Sequence, residues 1–181
     1  MDGDIRARFV NGDRDAFEAL FRQHRQGVYQ WAFRIVRDRS AAEDVLIESF
    51  WRAYRSRARF DASRSFDAWM RRITTNVAID HLNAARRRQW ISLDEAGRVP
   101  AREGDAGGPG RPGPAATHEI TRAFHTLPPK LRVVATLALI EEEPLAEIAD
   151  ALDVPIGTVK SRLFRATRHL RKELARLGVH T

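Results

Sequence analysis

The chain reads as all-α, two small helical domains joined by a Gly/Pro-rich linker, and three observations carry that reading. Apolar residues recur at three- and four-residue spacing through most of the 181 residues, and no alternating run is long enough for a convincing strand. Residues 97–116 hold six of the eleven glycines and four of the eight prolines. Such a composition cannot bury enough apolar area to offset its ordering entropy, so it predicts a linker. The charge then reverses sign within the last third of the chain: six acids and no base lie between Glu141 and Asp153, and seven Lys or Arg against Glu173 alone lie between Thr158 and Thr181. The domains expected are 1–92 and 117–181, with 93–116 between them.

Taken in order, Phe17, Leu20, Phe21, Val28, Trp31, Ala32 and Ile35 line one face of a first helix, with Asp13 as its N-cap. Ala42, Val45, Leu46, Phe50, Ala53 and Tyr54 mark a second, with Ser40 as candidate cap. A third runs from about Phe66 to Arg88, with Trp69, Met70, Ile73 and Val77 inward. Beyond the linker, Ile120, Phe124 and Leu127 precede Pro128-Pro129, which breaks or starts a helix, and Leu131, Val134, Leu137 and Ala138 suggest the next. Leu145, Ile148, Ala149 and Leu152 then face Val154, Val159, Leu163 and Leu170 across a turn at Asp153-Val154-Pro155.

That last pair has the form of a helix-turn-helix whose second helix turns Lys160, Ser161, Phe164, Arg165 and Arg168 outward. A helix lying in a DNA groove needs positive charge on its outer face; the helix behind it does not. Arginine grips guanine through two hydrogen bonds, serine bonds a base or phosphate, and phenylalanine meets a thymine methyl. The same pattern fits an ordinary helical hairpin with a solvated basic face.

A formal charge of +7 and a pI near 10.8 favour a polyanionic partner. The chain has no apolar run of the roughly 20 residues that span a bilayer, and Met1-Asp2-Gly3-Asp4 lacks the basic and apolar regions of a secretory leader. A soluble, cytoplasmic protein is expected, with no membrane insertion. Cysteine is absent and the six histidines show no paired ligand spacing, so neither metal nor cofactor is expected. Without a phosphate-cradling glycine loop or a nucleophile elbow, an enzyme is not expected either.

Two further patterns bear on nucleic acid. Six of the fifteen aromatics fall between Phe50 and Trp69, among Arg52, Arg55, Arg57, Arg59 and Arg64. Unpaired bases stack on aromatic faces while arginine neutralises the backbone, although Phe50, Tyr54 and Trp69 stand at inward, core-forming positions. Arg72, Asn76, Asp80, Asn83 and Arg87 form a polar stripe on the third helix, either a reading face or a solvated one. Asp80 would repel phosphate unless it holds a neighbouring arginine.

These segments resemble the extracytoplasmic-function group of bacterial sigma factors. The resemblance rests on GDRDAFEALFRQH, AAEDVLIESFWRAYRSRARFD and SFDAWMRRITTNVAIDHL in the first domain, and on LPPKLRVVATLAL and EIADALDVPIGTVKSRLFRATRHLRKEL in the second. It implies a subunit that binds core RNA polymerase at the β′ clamp and β flap and directs promoter recognition, DNA opening and transcription initiation. By that likeness Asp44, Glu48, Phe50 and Trp51 are polymerase contacts. Phe60, Asp61, Ala62, Ser63, Arg64 and Ser65 form a specificity loop that captures a flipped base of the melted minus-ten strand, helped by Arg72, Asn76 and Arg87. Thr158, Lys160, Ser161, Phe164, Arg165 and Arg168 are the duplex minus-thirty-five contacts. An anti-sigma factor is implied as well.

Three departures from the family's pattern stand out. Ile47 replaces a usual glutamine in the clamp-binding motif, Asn83-Ala84-Ala85 replaces part of a basic run, and Glu142 and Pro144 stand where glycine and serine are common. Two rival readings remain at this stage. A stand-alone helix-turn-helix regulator would bind DNA tightly without polymerase, and a helical adaptor for acidic proteins would leave no DNA footprint.

Overall fold

The computed structural model describes the backbone of residues 2–96 and 114–178, with side chains from 4 to 88 and from 119 to 178. Every regular element among them is helical, as the periodicity requires: α1 (Asp2–Val10), α2 (Arg14–Val36), α3 (Arg39–Ser56), a 3₁₀ turn at Arg57–Arg59, α4 (Phe66–Ala96), α5 (Pro114–Thr126), α6 (Pro129–Ala135), a π-turn at Thr136–Ile140, α7 (Leu145–Leu152) and α8 (Ile156–Arg176). They fall into two compact units, α1 to α4 and, in the main, α5 to α8. The expected linker at 93–116 lies mostly outside the described residues. Its first four residues continue α4 and its last three open α5.

The first unit begins with a helix that the spacing of apolar residues does not announce. Nine residues are too few to hold a helix in water without tertiary contacts. α1 persists because Phe9 is fully buried, with its ring among those of Phe17, Phe60, Phe66 and Trp69. Gly12, at φ +88°, reverses the chain into α2, and a β-carbon there would press on the Arg57 guanidinium. Asp13 then caps α2 as expected, accepting from the amides of Asp15 at 2.9 Å and Ala16 at 3.0 Å. The Ala16 amide, followed by the Arg8 guanidinium, holds its carboxyl below the ordinary 3.8.

Between α2 and α3 the expected cap is displaced by two residues. Arg37 takes a left-handed conformation at φ +58°, Asp38 follows in extended geometry, and Asp38 receives the Ala41 amide at 2.8 Å. Ser40 is already inside the helix. Ala42, Val45, Phe50 and Ala53 face the core, and Leu46 and Tyr54 pack beside it. α4 continues past Arg88 to Ala96, about 46 Å at 1.5 Å per residue. It is tied to α2 where the Trp31 indole donates to the buried Thr75 hydroxyl at 2.9 Å.

In the second unit Pro128 precedes α6 and Pro129 opens it, the position that tolerates a missing amide hydrogen. Residues 133–137 are buried without interruption, so this helix is surrounded rather than amphipathic. It widens into a π-turn, closed by Glu141 N to Thr136 O at 3.1 Å. Glu142 follows at φ +55°. That conformation favours glycine and costs an L-residue roughly 1–2 kcal/mol, which gives a physical reason for the glycine common at this position in the resembled family. Asp153 makes the turn between α7 and α8 at φ +53°, with Val154 N bonded to Ala149 O at 3.0 Å. Val159, Ala166 and Leu170 then line the buried face of α8, joining Ala123, Leu127 and Ala135 in or beside the unit's core.

Candidate nucleic-acid interface

Burial along α8 separates its two faces. Val159, Ala166 and Leu170 are buried, whereas Lys160, Ser161, Phe164, Arg165 and Arg168 are exposed and Thr158 is half-buried. Phe164 exposes 68% of its surface, which no packing requirement explains. The Ser161 hydroxyl donates to the Thr158 carbonyl at 3.0 Å, leaving its oxygen free to accept. At the unit's other side, burial pushes Arg132 down to about 10, and its Nη1 stands 3.2 Å from His125 Nδ1.

In the first unit the candidate loop is seated at both ends and open between. Phe60 and Phe66 are buried against Phe9, with ring centroids at 6.4 and 5.7 Å. Asp61 ties the middle together, accepting from the Ser63 hydroxyl at 2.7 Å and the Ser63 amide at 3.0 Å, with Arg64 Nε at 3.4 Å. Those bonds, the Ser63 hydroxyl's first, hold the Asp61 carboxyl below its ordinary range. Ser65 accepts from the Ala68 amide at 3.3 Å and so starts α4. Asp61, Ser63, Arg64 and Ser65 are exposed, and Ala62 is half-buried.

On α4, Asn76, Asp80 and Arg87 are exposed and Arg72 and Asn83 half-buried. Asp80 does hold an arginine: Arg52 Nη1 donates to it at 2.8 Å, while Arg52 Nε donates to Glu48 at 2.7 Å. Glu48, then Asp80, raise the Arg52 guanidinium's affinity for its proton. One residue of α3 thus joins the polar stripe of α4 to the outward face of its own helix. On that face Asp44 is exposed, and Ile47 and Trp51 expose 61% and 54% of their surfaces.

Two of the expected contacts are corrected. Phe50 is 2% exposed and Phe60 5%, each locked in the aromatic core of the first unit. Neither can present a ring to polymerase or to an unstacked base. Arg6 and Arg52 are residues that spacing does not single out. Arg6 Nη1 donates to the Arg64 carbonyl at 2.7 Å, across 58 residues of sequence, and no local pattern encodes that pair.

Together these features define, among the described residues, two helical units, one with an outward basic face on a helix-turn-helix and the other with an aromatic-seated loop. Known families match in the same order: Sigma-70 region 2 over residues 20–88 and Sigma-70, region 4 over residues 117–170. The chain is 32% identical over 171 residues to ECF RNA polymerase sigma factor SigW of Bacillus subtilis, covering 90% of this chain and 91% of that one. It is 33% identical to the RNA polymerase sigma-H factor of Pseudomonas aeruginosa, covering 96% and 94%. Its fold is similar to that of CnrH, solved in complex with the cytosolic domain of CnrY, at a TM-score of 0.55 and 24% identity, covering 96% of this chain and 97% of that one. The chain belongs to the extracytoplasmic-function group of the sigma-70 family of RNA polymerase sigma factors.

Proposed function

We propose that the two units divide promoter recognition between them, with polymerase supplying the catalysis. The observation that carries this is the pairing, on one chain and in family order, of an outward basic face on α8 with an outward loop and polar stripe on the first unit. α8 takes the duplex upstream element through Lys160, Ser161, Phe164, Arg165 and Arg168, with Thr158 at its entry. The loop 61–65 takes an unstacked base of the downstream element, and Arg72, Asn76 and Arg87 follow the strand along α4.

Drawing a base out of the stack costs a few kcal/mol. With Phe60 buried, the loop has no exposed ring to return that cost by stacking. Capture therefore rests on hydrogen bonds from Ser63, Arg64, Ser65 and the loop backbone. Such bonds discriminate between bases because the wrong partner leaves them unmade. Asp44, Glu48 and Trp51, with the apolar Ile47 beside them, form the surface offered to the polymerase clamp. An anti-sigma protein is a further partner; the solved relatives that share this fold include the sigma factor RpoE with the anti-sigma factor NepR from Bartonella quintana, at a TM-score of 0.53 and 19% identity.

The test is run-off transcription with core polymerase on a promoter library randomised at both elements. Initiation should require this protein and select one pair of elements, and Asn76→Ala should change base preference within the melted element alone. Absence of polymerase-dependent initiation on every promoter would sink the proposal.

A further inference from the structure

We propose that α1, which precedes the region 2 match beginning at residue 20, belongs to the promoter-reading apparatus, and that Arg6 is its positioning residue. Its hydrogen bond to the Arg64 carbonyl sets the shape in which loop 61–65 meets a base. This rests on the reading of the loop given above.

Three observations carry it. Both ends of the loop sit on a residue of α1, since Phe60 and Phe66 pack on Phe9. Between those ends the bonds within the loop are short-range: Asp61 to Ser63 and Arg64, and Ser65 to the first turn of α4. They fix the loop's internal turn but not its place on the unit. Beside the loop lies a cavity of about 250 Å³ bounded by Ile5, Arg6, His24, Ser65 and Asp67. Close packing does not fill that half-open space, so Ser65 has no packed support on that side.

Arg6 closes this gap from outside the loop. A guanidinium bonded to a carbonyl is a charge-assisted contact, stronger than a neutral one, and 2.7 Å is a short distance for it. The bonded carbonyl belongs to Arg64, flanked by the exposed Ser63 and Ser65. A shift there moves every donor and acceptor that the loop shows to a base. Arg6 touches no DNA in this scheme.

The experiment uses holoenzyme assembled from core polymerase and full-length chain, on templates carrying each of the four bases at every position of the downstream element. Arg6→Gln should lower base discrimination at the loop-read position by about 10- to 150-fold, the range that one charge-assisted hydrogen bond's net contribution spans. Core affinity and upstream-element preference should stay unchanged. Asp38→Ala, which removes the α3 cap and touches neither the loop nor α1, serves as a control for general loss of stability and should leave discrimination intact. Asp61→Ala disrupts the loop's own turn. If Asp61→Ala changes discrimination and Arg6→Gln does not, Arg6 has no positioning role. If neither changes it, the reading of the loop itself fails. Equal losses in Arg6→Gln and Asp38→Ala would reduce Arg6 to a structural contact.

Discussion

α8 and the loop at 61–65, proposed to read the two promoter elements, reach solvent by opposite routes. α8 carries its core residues and its contact residues on one 21-residue segment, with Val159, Ala166 and Leu170 inward and Lys160, Phe164 and Arg165 outward. The loop at 61–65 is short and holds its place through Phe9 and Arg6, more than fifty residues earlier. A surface on a helix is set by helical period, because facing follows from sequence position. A surface on a loop is set by distant contacts. The two units should therefore fail differently when mutated.

The largest effect is expected at Phe9. Truncating a fully buried phenylalanine typically costs about 3–5 kcal/mol. Phe9→Ala should lower first-unit stability by that amount and release both ends of the loop. All four tryptophans lie at or before Trp90, so tryptophan fluorescence in urea follows the first unit, whereas far-UV circular dichroism follows both. The fluorescence midpoint should fall while a later dichroism transition from the second unit stays in place. A fluorescence midpoint unmoved by Phe9→Ala would mean that α1 does not support the unit.

Next in size is Arg165→Ala. If its guanidinium grips a base, loss should cost about 1–3 kcal/mol in use of the upstream element. Folding should change by no more than about 0.5 kcal/mol, as is usual for an exposed position. Phe164→Ala should behave the same way in stability, since the ring projects into solvent. A large stability loss from either would place that side chain in the core of the unit and overturn the two-faced reading of α8. Quantitative footprinting of holoenzyme, beside urea unfolding of the free chain, separates these outcomes.

A smaller effect is expected at Arg52, which bridges Glu48 and Asp80. All three side chains are exposed by two-fifths or more, so Arg52→Ala should change stability by less than about 1 kcal/mol. It leaves the Asp80 carboxylate unpaired beside the strand, and downstream-element use should fall about fivefold, the equivalent of roughly 1 kcal/mol. Adding Asp80→Asn should recover most of that loss. Failure of the second substitution to help would show that repulsion from Asp80 is not the cause.

The contrast between the units also decides what the sequence made legible. The all-helical class, the Asp13 cap, the proline-started α6 and the outward face of α8 follow from local rules, each within a few turns of chain. α1 escaped because Ile5, Phe9 and Val10 are too few large apolar residues to mark a face, and its stability lies in tertiary contact. Ser40 and Asp38 both satisfy the capping preference, and the left-handed Arg37 decided between them. Phe50 and Phe60 were expected at contact surfaces from the resemblance alone; helical spacing had already turned Phe50 inward, and the aromatic core buries both rings. Arg52 was foreseeable only as an unnamed arginine that Asp80 would need, and Arg6 not at all.

The smallest expected effect is an acid-induced separation of the two units. In the second, burial and then the Arg132 charge push His125 down to about 4 from 6.5. The unfolded chain therefore binds the extra proton first, and between pH 6.5 and 4 stability falls as pH falls. His125 is nonetheless an exposed residue, so solvent screens the effect and the loss is only a small fraction of what an enclosed ring would give. In the first unit the shifted carboxyls also lose stability as pH falls, but in a lower pH window. Asp13 and Asp61 lie below 3.8, so the stability they contribute is intact above that value and is lost only as pH falls beneath it. Acidification from pH 7 to 4.5 should accordingly lower the dichroism midpoint in urea before the tryptophan midpoint, and His125→Gln should remove the divergence. Coincident midpoints at pH 4.5 in the unmodified chain, or a divergence that survives His125→Gln, would show that the two units do not titrate separately through this pair.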